Sequence, residues 1–462
     1  MDAPAQGCKV PASALSRYLK MGFEKEHLIE ILRSARGVAA QAEVFSLWSR
    51  GMSVQFEANA LKQVQTKERS NVVLRIFREG RIGLATAGGG SDLDDLVEMA
   101  VETSRFGRTA EFDFPSAQSF DDVETYDPAV TEMGPEAMIE IGNHLIARLR
   151  DHTPDLRCDV EVARAAGSHF IANSRGGEGS YDKSLSILNV RGILVQDTDM
   201  LFVGDSVSSC RVQDTVEAIA DRVIGQLDRA RRRATVSART LPVIFTPLGV
   251  ASVLLGPLAL AFNHKTVIEG ASPLRDRQGE QVFDKRLSLW DDATVPYGAG
   301  SYPLDDEGVP GQRLPLVASG LVTNFFSDLQ TAASASTHST GNGRRAGGAP
   351  APAMSSVIIA PGTMSLQSMV EDIKTEGLIV EQAIGAGQGN TLGGDFGGNV
   401  LLGYKVENGE IVGRVKDTMI AGNVFEVLGE LLGIGQEARW VGGVLQTPPL
   451  YCPRVSVATK GG

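Results

Sequence analysis

Apolar residues change their spacing repeatedly along this chain, and each change marks a different element. Over residues 24–41, Leu28, Ile29, Ile31, Leu32, Val38 and Ala39 recur at helical spacing. The period then falls to two, and residues 43–48, 54–57 and 72–77 read as strands separated by loops at Gly51, Asn59 and Gly80. This is the pattern of antiparallel hairpins. Ser91 heads a predicted helix over 92–105, with Leu93, Leu96, Val97 and Ala100 on one face. A further helix is predicted over 135–150, followed by strands at 159–165, 169–173, 184–195 and 197–207. Asp214 is placed to cap a helix reaching about Arg233.

A short polar link follows, and Leu241-Pro242-Val243-Ile244-Phe245 opens a new strand. We therefore expect a tail at 1–20, an N-terminal domain at 21–238 and a C-terminal domain at 239–462. The second half holds an apolar helix over 247–262, an amphipathic helix over 366–375, and many short strands with glycine turns. The fold class is α+β: helices on an antiparallel sheet, then a mainly β domain of barrel or sandwich type.

With 42% apolar and 22% charged residues, the chain has ordinary globular usage, so two packed cores are expected rather than disorder. The net charge of −12 repels phosphate backbones, which argues against nucleic acid as a partner. The basic run Arg229, Arg231, Arg232 and Arg233 reads instead as a solvated helix end. Four widely spaced cysteines form no CxxC pair and fit free thiols in a reducing compartment. The N-terminal residues show no basic-then-apolar leader. The most apolar run, residues 248–262, is too short for a membrane span and contains Pro257. A cytoplasmic location without membrane association is expected.

Several segments invite a chemical reading. Gly385, Gly387 and Gly389 lack the final glycine of a dinucleotide fingerprint and are followed by more glycine rather than a helix, so a turn between strands is expected. No nucleophile-elbow motif is present for a serine hydrolase, although His338 lies in a polar loop. His264 and Glu269 are five positions apart, which on a regular helix separates them by about 140°. Lys265 stands where a hydrolytic metal site would want a carboxylate, and no third ligand is suggested. The acidic turn Asp305, Asp306 and Glu307 precedes Gly-Val-Pro-Gly; it could orient a substrate amine or fold back on its own backbone N–H groups. Asn342, Arg344 and Arg345 form a loop able to clamp a carboxylate.

Taken together, DDEGVPGQ at 305–312, STGNGRR at 339–345, GGDFGG at 393–398, and ENGE at 407–410 with IAGN at 420–423 resemble the TldD/PmbA family in order and spacing. The segment FEANALK at 56–62, with Arg75 and Arg81-Ile82-Gly83, is similar to that family's opening hairpins. The family is also described as modulators of DNA gyrase. The resemblance implies a metallopeptidase assembled from two related subunits, one of which carries zinc on an HExxxH helix with a late cysteine. Aligned on Glu269-Gly270, the three functional positions of that helix fall on Ala261, Phe262 and Thr266, and the cysteine falls near Val441. None of these side chains suits the role, and Cys452 lies beyond a proline-rich insertion.

The resemblance therefore implies the PmbA-like (TldE-like) branch, a noncatalytic partner with no metal of its own. It would pair with a zinc-bearing TldD-like paralogue, or with itself, around unfolded peptides. In that setting Asp305, Asp306, Glu307, Asn342, Arg344, Arg345 and Asp395 are the expected peptide-binding residues, and zinc is expected in the partner. Two other functions stay open: a hydrolase working alone through His264, Glu269 or His338, and a regulatory protein that grips peptides without cutting them.

Overall fold

The computed structural model describes residues 24–88, 93–197 and 199–459. The expected tail at 1–20 and the Ser91 cap lie outside them. The first six strands, β1 (Gln41–Glu57), β2 (Ala60–Arg78), β3 (Arg81–Gly88), β4 (Arg157–Asn173), β5 (Glu178–Gln196) and β6 (Asp199–Ser209), form one antiparallel sheet in the order β3-β2-β1-β4-β5-β6. It is a half-barrel.

Two hairpin turns follow the expectation closely. Ala58 and Asn59 take φ of 47° and 74°, and Glu79 and Gly80 take 52° and 73°, the positive values a two-residue hairpin loop requires. The strands are longer than the alternation suggested. Gly51 does not make a loop: it lies within β1, opposite both Lys67 and Ala165, because partners on both sides carry the ladder through it. The two segments expected at 159–165 and 169–173 likewise fuse into β4. At their junction a Cβ on Gly167 would stand 2.2 Å from the Trp48 carbonyl oxygen, so glycine permits the close strand approach.

Strand alternation assigns the two faces. Val44, Val72, Leu74 and Ile76 pack on Leu28, Ile31 and Leu32 of the helix Lys25–Arg36 and on Leu96 and Ala100 of the helix Leu96–Ser104. Further along the sheet, Val54, Phe56, Val160, Val162 and Val190 meet Met138, Leu145 and Leu149 of the helix Pro135–His152 and Ile219, Val223 and Leu227 of the helix Val216–Arg229. That last helix stops before Arg233. Its chain is drawn into the second domain instead, where Arg414 N–H donates to Arg232 O and Ala234 N–H to Arg414 O.

The same apolar cluster continues into Ile244, Ile379, Leu402, Tyr404 and Tyr451, so the two domains share buried surface. Their source is a closed barrel. Strand Thr240–Phe245 pairs antiparallel with Leu450–Thr459, which pairs with Thr418–Asn423, then Asp395–Glu407, then Glu376–Ile384. The last of these returns to Thr240–Phe245 in parallel and closes the ring. A second, six-stranded sheet runs beside it. Between them lies the apolar helix predicted over 247–262, whose Val250, Val253, Leu254 and Leu258 are buried and whose Val250–Leu254 turn is π-helical. The helix predicted over 366–375 ends earlier, at Asp372. Among the described residues no helix is long and apolar enough to cross a membrane.

Candidate functional site

Two charged residues stand inside apolar strand runs. Glu43 is followed by Val44 and Phe45 in β1, and Arg75 lies between Leu74 and Ile76 in β2. The register sets them opposite each other. Arg75 donates from Nε (3.2 Å) and Nη2 (2.9 Å) to Glu43, and from Nη1 (2.7 Å) to Glu307 of the acidic turn. Arg345 also pairs with Glu43. Glu43, Arg75 and Glu307 are fully enclosed, with side chains 0–3% exposed. The guanidinium of Arg75 lies over Phe112 and Phe114, and that of Arg345 over Phe45. Sequence reasoning missed the roles of Glu43 and Arg75. Their signal was there: a charge amid strand residues that otherwise face a core.

The acidic turn is folded on itself. Asp305 accepts backbone N–H bonds from Glu307 (2.9 Å), Val309 (2.9 Å) and Gly343 (2.8 Å). Asp306 accepts from the Arg345 N–H (2.7 Å) and lies 3.1 Å from Arg344 Nη1. Glu307 accepts from the Leu329 N–H (2.7 Å). Burial, together with the Glu307 charge, pushes the Asp305 carboxyl well above the usual carboxylate range. Glu307 is raised too, mainly by burial, with Arg75 pulling the other way.

Asn342 joins this region to the second domain's interior, donating to Asp291 (2.6 Å) and to the Ala353 carbonyl (3.0 Å). Burial raises Asp291 to about 6. Arg344 is the member with partial exposure, 27% for its side chain, and it lies over the Tyr302 ring. Nearby on the same sheet face, Lys183 donates to the Ser301 carbonyl (2.8 Å), and burial lowers its amine to about 8. The structure thus brings Asp305, Asp306, Glu307, Asn342, Arg344 and Arg345 together. Asp395 is placed elsewhere, exposed at the start of a barrel strand and bonded to Asn423 (2.9 Å).

The positions aligned to the metal helix have a different surrounding. The helix Leu255–Ala261 ends at Phe262, and Asn263 takes an extended conformation (ψ 114°) to cap a new helix, His264–Ile268. Ala261, Phe262 and Thr266 therefore do not share one continuous helix. Ala261 and Phe262 are wholly buried, and Phe262 packs near Phe283 and Phe325. Thr266 Oγ1 donates to the Leu260 and Asn263 carbonyls, satisfying the broken helix end. A zinc ion does not fit this set: one methyl, one phenyl and one hydroxyl already committed to carbonyls supply no ligand. Val441 is a buried strand residue, and burial raises the Cys452 thiol well above its ordinary range.

The other candidates do not converge either. His264 Nδ1 lies 2.7 Å from Ser327 Oγ and stacks on Phe325, while Glu269 faces Lys265 at 3.9 Å. His338 is exposed. Among the described residues no cluster of three or more His, Cys, Asp or Glu is placed to hold a metal.

Comparison with known proteins gives the class. Residues 238–459 match the PmbA/TldA metallopeptidase C-terminal domain, and residues 42–104 match the PmbA/TldA metallopeptidase domain 1. The chain belongs to the TldD/PmbA family. Among its relatives, a metalloprotease of Methanocaldococcus jannaschii is 32% identical over 223 residues, about half of each chain (46% and 48%). Metalloprotease PmbA of Escherichia coli O157:H7 is 25% identical across 94% of this chain and 96% of its own. The solved structure of TldE from Thermococcus kodakarensis superposes with a TM-score of 0.85 over 93% of this chain and 99% of that one, at 22% identity, and shows the shared fold.

Proposed function

We propose that this chain is the noncatalytic subunit of a TldD/PmbA-type metallopeptidase, pairing with a zinc-bearing paralogue that cuts unfolded peptides. One observation carries the reading. Where the family's metal helix would offer its ligands, this chain has Ala261, Phe262 and Thr266, and the helix is broken at Asn263. Zinc belongs to the partner in this reading. The alternative of a hydrolase acting alone finds a hydrogen-bonded Ser327–His264 pair, but Ser327 is buried and no carboxylate among the described residues bonds the histidine.

Support for pairing comes from the sheet edge. Among the described residues, β3 pairs with β2 from Asn71 to Arg78, no strand lies on the outer edge of β2 from Ala60 to Arg69, and Leu61 and Val64 are exposed on it. Such an edge suits a second subunit. The half-barrel face opposite the helices, which carries Lys183 and which Arg344 approaches from the second domain, is the side on which a peptide would be held. The three buried free thiols Cys158, Cys210 and Cys452 fit a cytoplasmic setting.

The test is reconstitution. The chain should purify with substoichiometric zinc, show no peptide cleavage alone, and co-elute with its zinc-bearing paralogue as an active complex. One tightly held zinc per chain after dialysis, or cleavage by the isolated chain, would overturn the proposal.

A further inference from the structure

The basic run at the end of the helix Val216–Arg229 is not used by the function proposed above. Its place in the fold gives it another one. After Ala230 the chain turns toward the second domain, so Arg231 and Arg233 meet Arg414 of the strand Glu410–Arg414 across the β5–β6 hairpin. A cavity of about 310 Å³ opens there, lined by these three arginines with His152, Asp199 and the Thr153-Pro154 turn.

The charges do not balance. Asp199 is shared by Arg233 (2.7 Å), Arg414 and Lys416 (3.5 Å). Asp228 holds Arg231 (2.6 Å) and His152 (3.2 Å). Three arginines and a lysine thus contact two carboxylates, which leaves two positive charges at neutral pH in a chain whose net charge is −12. Arg414 is the deepest: its side chain is 5% exposed, and its Nε–H has no acceptor among the described residues. Asp199 Oδ1 beside it makes no hydrogen bond among the described residues either, but a buried guanidinium with a spare donor and a surplus of positive charge can take a further acceptor.

We propose that this cavity binds the phosphate group of a small phosphorylated molecule or free inorganic phosphate. The geometry favours phosphate over carboxylate. The arginines come from the linker after the helix and from Glu410–Arg414, a strand paired to the barrel strand Asp395–Glu407. A tetrahedral dianion can accept N–H bonds from several directions, while a planar carboxylate is satisfied by one fork. A volume near 310 Å³ is at the small end of ligand cavities, which sets the size class. Because the walls belong to both domains, an occupant would also tie the helix end to the barrel.

The experiment is calorimetric titration of the full chain with inorganic phosphate, ionic strength being held constant with sodium chloride. Phosphoserine serves as a phosphomonoester arm and acetate as a carboxylate arm. Saturable phosphate binding is expected, about tenfold or more weaker in the Arg231→Gln/Arg233→Gln double variant, since each charge-assisted bond is worth at least that factor. Both arginines are largely exposed (69% and 56%), so the variant keeps its core, which circular dichroism checks. Arg454→Gln, remote and exposed, should bind as wild type. Tighter binding of phosphoserine identifies a phosphomonoester, and binding of phosphate alone identifies the free ion. Acetate binding as well as phosphate, no saturable heat with either phosphate compound, or an unchanged affinity in the folded double variant would overturn the proposal.

Discussion

Replacing Arg75 with methionine should be among the most damaging single changes in this chain. Arg75 is the cation between Glu43 on the half-barrel and Glu307 on the second domain, and all three side chains are enclosed. In Arg75→Met, Glu43 keeps Arg345, but among the described residues the Glu307 carboxylate keeps the Leu329 N–H alone. Removing one partner from a buried ion pair costs about 3–5 kcal/mol, because the other charge stays uncompensated. Loss of the stacking over Phe112 and Phe114 adds about 1 kcal/mol. The assay is urea unfolding followed by tryptophan fluorescence. Trp48 lies in the half-barrel, and Trp290 and Trp440 lie in the second domain, so both units are followed. Adding Glu307→Gln to Arg75→Met removes the stranded charge and should restore about 2 kcal/mol. The sign of the pH effect is fixed by burial. Folded carboxyls raised above their ordinary range hold protons that the unfolded chain releases, so stability falls as pH rises from the ordinary carboxylate range to the raised values. The Arg75→Met defect should therefore shrink on acidification toward pH 5. A cost below about 1 kcal/mol at neutral pH, typical of a surface change, would refute this account of the joint.

Further outcomes are expected elsewhere. Asp291 rises from 3.8 to about 6 on folding, so wild type should lose stability relative to Asp291→Asn as pH rises through that window, read from melting temperatures at each pH. Gly142→Ala places a Cβ 2.2 Å from the Phe56 ring, and the overlap, typically 1–3 kcal/mol, should outweigh the gain in helix propensity of about 1 kcal/mol, lowering the urea midpoint. Asn263→Ala removes the side-chain cap of the short helix and should cost about 1 kcal/mol by the same measurement. The triple change Ala261→His, Phe262→Glu and Thr266→His should gain no zinc, measured by metal analysis after dialysis. It should also unfold at lower urea, since the glutamate would replace a core phenyl group.

What the sequence disclosed follows its physics. Period-two and helical spacings located most elements in the described region, because burial on one face writes that period into the chain. The Asn59 and Gly80 turns were legible because positive φ selects particular residues. Gly51 misled because glycine usually marks a loop, and only pairing on both sides, a tertiary fact, keeps it in a strand. For the site, the acidic turn and the arginine loop were visible as clusters. Their joining through Glu43 and Arg75 was not, since those partners stand far away in the chain (|i−j| of 232 from Arg75 to Glu307 and 302 from Glu43 to Arg345). The end of the apolar helix at Phe262 was legible, but the new short helix that Asn263 caps, His264–Ile268, was not, because its five residues are too few to write a period.

The closed barrel has a consequence for how this protein is made. Its first strand, Thr240–Phe245, is hydrogen-bonded on one side to Leu450–Thr459 and on the other to Glu376–Ile384. Neither neighbour exists when that strand leaves the ribosome. The half-barrel, by contrast, has all six strands once β6 is synthesised. Synthesis therefore presents a first unit whose six strands can all pair while a long, apolar second one is unfinished, and the ring closes only when residues 450–459 arrive. Cellular fate should turn on that interval. Chaperone capture, degradation of prematurely terminated chains and sensitivity to translation pauses should all concentrate in the stretch between residues 245 and 450.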